Sequence, residues 1–441
     1  MSKVINKINF GLIIFAIVIS PLWLLLAANF ELVNLTVPFY YYEILYFLIP
    51  LEIVIYVYKI IKKEIKLNYC DIIVFLILIL LMIVTNNSID IDTSIWGAYK
   101  RNEGFLSVLC YYLLFLNSKS LDEKQINIVI KVFFRVGIIQ FVYCLLQVFF
   151  RFPGLQLFSL NGVNYMAMGF QGNPNFLGSY CIMLLGLALM LYLIKGERKY
   201  FVLSIIFFIN LILAQSTGPF FAFIILFIFM IVFMKIKGII DWKKIGIVCA
   251  GFILTFIIVS NGVELYCKKV FNDKIVSSYT IKGDILNTLN LFGVSKGNNE
   301  ENITIEDYGS GRITIWKNAL KAVPKYFWLG SGIDTFGYVY SQNNKGLYYD
   351  KAHNEYLQIL ITEGIFSLIL YLSLLLTLFI DGVKSNNKLV WVLMMPFIGY
   401  ALQAFLNISV VFVAPTFYII MGMMAGLISQ EKVKGKLKKV A

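Results

Sequence analysis

"KAHNEYLQILITEGIFSLILYLSLLLTLFIDGVK", residues 351–384, runs from a polar lip into an apolar stretch that ends in charge again. Between 358 and 380 the only charged residue is Glu363, so the stretch is long and apolar enough to cross a bilayer as a helix. Working outward, the same pattern recurs. Apolar stretches lie near 9–29, 43–61, 71–86, 104–117, 127–150, 176–194, 200–215, 218–234, 245–262, 389–407 and 410–428. The chain is 59% hydrophobic and 14% charged, whereas soluble domains carry about 25% charged residues. The expected fold class is an all-α polytopic membrane protein. The first stretch lacks a small-residue cleavage site and reads as a retained helix rather than a signal peptide.

The net charge of +13 invites a nucleic-acid surface, but its placement argues otherwise. With the N-terminus inside, 23 basic residues fall on the cytoplasmic side, among them Lys59, Lys119, Lys384 and five lysines in 432–439. Three basic residues (Lys100, Arg101 and Arg151) fall in the short outer loops. The positive-inside rule then gives about twelve transmembrane helices with both termini in the cytoplasm. The excess charge is topology, and no nucleic-acid partner is expected. The six cysteines are scattered, without a CxxC pair, so neither a disulfide framework nor a zinc site is indicated.

This topology divides the chain into transmembrane helices 1–9 over 1–262, an extracytoplasmic loop over 263–352, and helices 10–12 with a basic tail over 353–441. The loop carries eleven basic and nine acidic residues, so it is not a polybasic arm. Within it "SGRITIWKNALKAVPKYF" (310–327) predicts an amphipathic helix with Ile313, Trp316, Leu320 and Val323 on one face, ended by Pro324. "WLGSGIDTFG" (328–337) follows, with Gly330 and Gly332 permitting a turn. Three more segments reach the same face: "WGAYKRNEGF" (96–105), "MGFQGNPNFLG" (168–178) and "AQSTGP" (214–219).

"GRITIW" (311–316), "LGSGIDTFG" (329–337) and "AHNEYLQILITEGI" (352–365), supported by "KRNEGF" and "GNPNFLG", resemble the O-antigen ligase and O-antigen polymerase superfamily of bacterial membrane glycosyltransferases. That resemblance implies transfer of a glycan from undecaprenyl diphosphate to a glycan, lipid or protein acceptor at the outer face of the cytoplasmic membrane. It implies metal-independent chemistry without a cofactor, a histidine base and arginines on the diphosphate. By resemblance His353 maps to the base, Arg312 to a loop arginine and Arg101 to a second.

Each residue also has a plainer reading. His353, the only histidine, suits a base because imidazole titrates near neutrality; otherwise it caps an interfacial helix. A helix starting near Ala352 would keep it neutral through the N-terminal dipole. Arg312 offers a planar fork for phosphate oxygens, or is a solvated residue at a helix start. Arg101 and Lys100 are diphosphate ligands or snorkelling anchors. Asn173 and Asn175 orient sugar hydroxyls or mark a turn. Asn354, Glu355, Tyr356 and Glu363 complete the candidate set as acceptor or supporting residues. Glu355 and Glu363, eight apart, would stand about 80° apart on one helix. The principal rival is a polysaccharide transporter or flippase, which commonly shows internal repeats and broken helices meeting at the midplane. Here the polar signals cluster at the outer rim.

Overall fold

The apolar stretches fall mainly on helices in the computed structural model, which describes residues 1–32, 41–65, 67–99, 101–150, 166–271, 312–344 and 348–440. The first ten helices are α1 (Ser2–Leu32), α2 (Tyr41–Ile61), α3 (Tyr69–Asn86), α4 (Ile91–Trp96), α5 (Phe105–Ser118), α6 (Glu123–Leu145), α7 (Pro174–Lys195), α8 (Arg198–Leu213), α9 (Thr217–Ile236) and α10 (Trp242–Phe271). After the loop come α11 (Arg312–Leu320), α12 (Val323–Tyr326), α13 (Phe336–Asn343), α14 (Glu355–Thr362), α15 (Gly364–Lys384), α16 (Lys388–Ala404) and α17 (Ala414–Val440). No strand occurs among the described residues. Among them, seven helices are long and apolar enough to cross a membrane: those within α1, α3, α6, α7, α9, α10 and α15. Phe105–Ser118 and Lys388–Ala404 are apolar but shorter. Most of the expected loop, residues 272–311, lies outside the described residues.

α7 is the hub. Asn173 caps it through the Asn175 N–H, Pro174 pre-sets its first turn, and Gly196 closes it in the left-handed conformation. Residues 176–193 are buried on every face, against α8, α9 and α16. A helix apolar all round belongs at the centre of such a bundle. α17 approaches α5 closely because Gly422 and Gly426 lie against the carbonyls of Phe115 and Lys119, where a Cβ would stand at 2.2 Å.

The helix ends sort into two polar layers. At one end Lys119 pairs with Asp71, both buried, while Tyr56 donates to Asp71 (3.3 Å) and Lys59 to Ser120 (2.5 Å). Lys59 and Lys119, expected as loop charges, are therefore interior. At the other end gather 88–99, 101–104, 166–175, 214–217, 312–344 and 348–363.

Here the structure departs from several expectations. The stretch 358–380 is not one helix: α14 stops at Thr362, and Gly364 at φ +84 starts α15. The cause lies thirty residues upstream. Gly330 and Gly332 do more than turn the chain. Backbone N–H groups of Ser331 and Gly332 donate to the carbonyls of Ile361 (3.0 Å) and Thr362 (2.9 Å), and Ile365 N–H donates to Phe327 (2.8 Å). A Cβ on Gly364 would lie 2.3 Å from the Trp328 carbonyl oxygen, so only glycine admits this crossing. Glu355 and Glu363 thus share no uninterrupted helix. Pro324 does not end α11, which stops at Leu320; it opens α12, where its missing N–H has no helical partner to lose. The buried stripe is Ile315, Ala319, Ala322 and Tyr326, with Leu320 54% exposed, because the small alanines let α11 settle on α13.

Candidate active site

Asp334 ties three of the quoted segments together. Its Oδ2 accepts from the backbone N–H of Ala98 (2.6 Å) and of Glu103 (3.2 Å), drawing both to one carboxylate. Its other oxygen pairs with Lys351, and both side chains are almost wholly buried. Next along the chain, Asp350 Oδ2 receives Arg101 Nε at 2.5 Å. Two ion pairs in succession therefore lock the 96–105 segment to the strip that leads into His353. Burial works to raise the Asp350 carboxyl, but Arg101 above all holds it below its ordinary value.

His353 precedes the helix instead of lying in it. Asn354 is the N-cap of α14, its side chain accepting from Leu357 N–H at 3.0 Å, and His353 stands outside at φ +50. The residue before it is pinned on both sides: Trp316 Nε1 donates to the Ala352 carbonyl (3.0 Å), and Ala352 N–H donates to Gln358 Oε1 (2.9 Å). The imidazole is pushed down to about 4. Burial is the largest cause and Arg312 the next; Asp350 opposes, while Arg101 and Lys351 add to the depression. Burial and neighbouring cations, rather than a helix dipole, favour the neutral imidazole here.

Arg312, at the start of α11, is mostly buried, and that burial lowers its guanidinium from the ordinary value. It stays charged at pH 7. Among the described residues no carboxylate pairs with it; its partner is the amide oxygen of Asn175, 3.2 Å from Nη2. Arg101 also lies over the Phe176 ring, 5.8 Å from its centroid. Histidine, both arginines and the α7 entrance are thus neighbours. Lys100 lies outside the described residues, and so does Arg151.

The remaining candidates serve the frame. Tyr356 donates to the Ala401 carbonyl (2.7 Å), fastening α14 to α16. Glu355 accepts from Tyr371 (2.8 Å) and Tyr400 (3.1 Å). It shares with Glu363 and Glu103 an internal cavity of about 60 Å³ behind the His353 strip. Glu103 accepts from Tyr111 at 2.6 Å. Asn173 caps α7. Asp334, Asp350 and Lys351 are site residues that the sequence reasoning missed. The available signal was an acid between glycines in 330–337 and a charged pair separated from the histidine by one alanine.

Residues 202–372 match the family model described as O-antigen ligase. No curated protein sequence matches the chain. The matched stretch runs from α8 into α15, so it contains Arg312, Asp334, Lys351 and His353 but not Arg101 or Asn175. It supports the O-antigen ligase and polymerase superfamily read from the motifs. Together with the apolar helices it supports an integral membrane protein.

Proposed function

We propose that this protein transfers a glycan from an undecaprenyl-diphosphate donor to an acceptor hydroxyl at the outer face of the cytoplasmic membrane, with both termini inside. The observation that carries this reading is geometric: His353 shares one end of the bundle with a partly buried guanidinium, Arg312, which among the described residues meets an amide oxygen and no carboxylate. His353 takes the proton of the acceptor hydroxyl as its oxygen attacks the anomeric carbon. The bond from that carbon to the diphosphate breaks, and Arg312 neutralises the charge left on the leaving oxygen. Arg101, already tied to Asp350, supplies a weaker second cation, with Lys100 beside it in sequence. The surroundings bury the base and keep it unprotonated, so it is ready at neutral pH. Lipid contacts come from the apolar faces of the helices around the site. The chemistry uses no cofactor and no metal. The proposed base and cations stand at one end of the bundle, which favours transfer over transport, whose polar site would lie near the midplane.

The test uses purified protein, a lipid-diphosphate glycan and an acceptor. His353→Ala lowers the rate about 10²–10⁴-fold, the usual loss for a general base, with expression and melting unchanged. Transfer within a few-fold of the unaltered protein removes His353 from the reaction.

A further inference from the structure

The two arginines near His353 are held in opposite ways, and the difference is informative. Arg101 meets a carboxylate, Asp350, whereas Arg312 meets an amide oxygen, Asn175. That amide is itself unusually well fixed. Asn175 Oδ1 accepts from the Ser216 hydroxyl at 2.6 Å as well as from Arg312. Asn175 N–H donates to Asn173 Oδ1 at 2.8 Å, and its carbonyl accepts from Asn407 Nδ2 at 3.1 Å. Asn407 also reaches Ser179 Oγ at 2.9 Å. Ser216 and Asn407 are both buried. Ser216 occupies the N-cap position of α9, yet its hydroxyl makes no capping bond; it turns to Asn175 instead. Ser216 at the start of α9 and Arg312 at the start of α11 thus converge on one neutral side chain, whose backbone is held by Asn173 and by Asn407 just after α16.

We infer that Asn175 is a positioning residue for Arg312, aiming the guanidinium with an uncharged acceptor so that its full charge remains for the donor's diphosphate. This rests on the donor reading above and deepens it. An aspartate at 175 would have the same shape and accept the same two hydrogen bonds. It would differ only in charge, and that charge would cancel the guanidinium and repel a diphosphate. A turn-forming role predicts the reverse, since aspartate serves turns and helix starts as well as asparagine does.

The experiment measures steady-state transfer by the purified full chain, with donor and acceptor varied separately, beside melting in detergent. Asn175→Asp is expected to lower kcat/KM for the donor on the order of 10²-fold, the loss typical of removing one anion-stabilising group. The KM for acceptor and the melting temperature stay unchanged. Asn175→Ala loses less, because the guanidinium loses its aim but keeps its charge. In an Arg312→Ala background, Asn175→Asp costs much less, since only its direct repulsion of the diphosphate remains. Ser216→Ala gives an independent arm: about 5-fold loss, one ordinary hydrogen bond, absent in the Arg312→Ala background. Asn175→Asp at the unaltered rate, or milder than Asn175→Ala, or equally harmful without Arg312, overturns the inference while the donor reading stands. Arg312→Ala at the unaltered rate overturns both.

Discussion

Lys351→Met tests whether Asp334 assembles the site. Methionine keeps an unbranched stem of similar length and removes only the ammonium. The pair is buried, with side chains 4% and 0% exposed. Removing one partner of such a pair typically costs about 3–5 kcal/mol, because the other charge stays buried. Asp334 retains the N–H groups of Ala98 and Glu103, so the lower end applies, about 3 kcal/mol. That raises local opening on the order of 10²-fold, at about 1.4 kcal/mol for each factor of ten. A second change, Asp334→Asn, removes the stranded charge. Its amide oxygen still accepts from both N–H groups, and its NH₂ faces the methionine thioether unsatisfied, a penalty of about 1 kcal/mol. The double variant should therefore recover about 2 kcal/mol relative to Lys351→Met alone, the difference of those two costs. Hydrogen exchange followed on peptides covering 97–104 and 329–337 reads this directly. The transfer rate should follow in the same order, because Arg101 is registered against His353 through this joint. A double variant no better than the single one would refute the reasoning, and so would protection that Lys351→Met leaves unchanged.

Two further outcomes follow from the same geometry. Because the folded imidazole lies near 4, below its ordinary 6.5, His353 is unprotonated from about pH 5 upward. The kcat/KM profile, which reports the free enzyme, should stay flat down to about pH 5 and fall as pH passes through about 4. A bound diphosphate raises the imidazole, so the kcat limb should lie at higher pH; a limb near the ordinary 6.5 in kcat/KM contradicts the burial. Ser341→Cys, at an exposed position on α13, should react in intact cells with a membrane-impermeant thiol reagent when Cys267 is replaced. Labelling only after the membrane is breached reverses the orientation and removes the lipid-diphosphate reading.

The helices are legible in the sequence because apolar runs of this length have few alternatives in a membrane. Their interruptions are not. Gly364 inside an apolar run is an ordinary residue until Gly330 and Trp328, over thirty positions earlier, are known to press against it. Proline cannot continue a helix, which makes Pro324 read as a stop, but the same property suits it to begin one. His353 and Arg312 stand out by rarity and placement. The causes of their behaviour do not, since the burial of His353 and the arginines that help depress it, Arg312 and Arg101, come from distant segments. Asn354 illustrates the limit: its side chain caps α14, a role its sequence context allows but does not separate from acceptor binding.

Backbone conformation gives an independent sign of where rigidity is concentrated. Among the described residues, five non-glycine residues adopt positive φ: Lys63, Asn102, Gln215, Asp334 and His353. Lys63 follows α2 at the far end of the bundle. The other four all lie in the segments that meet at the site. Each such residue is strained by roughly 1–3 kcal/mol and persists only where its surroundings over-determine it. Those restraints are identifiable. Asn102 receives Ser107 Oγ on its carbonyl (2.5 Å), and Gln215 bonds its own side chain to the Ile212 carbonyl (2.8 Å). Asp334 is held by two N–H groups and Lys351. His353 sits between the doubly bonded Ala352 and the cap residue Asn354. Since strain of this kind opposes folding, its concentration beside the proposed base and a guanidinium that no carboxylate neutralises among the described residues fits a site whose groups are aimed before substrate arrives. Transfer chemistry needs that arrangement: an imidazole or guanidinium displaced by an ångström loses most of its effect on the reacting bond.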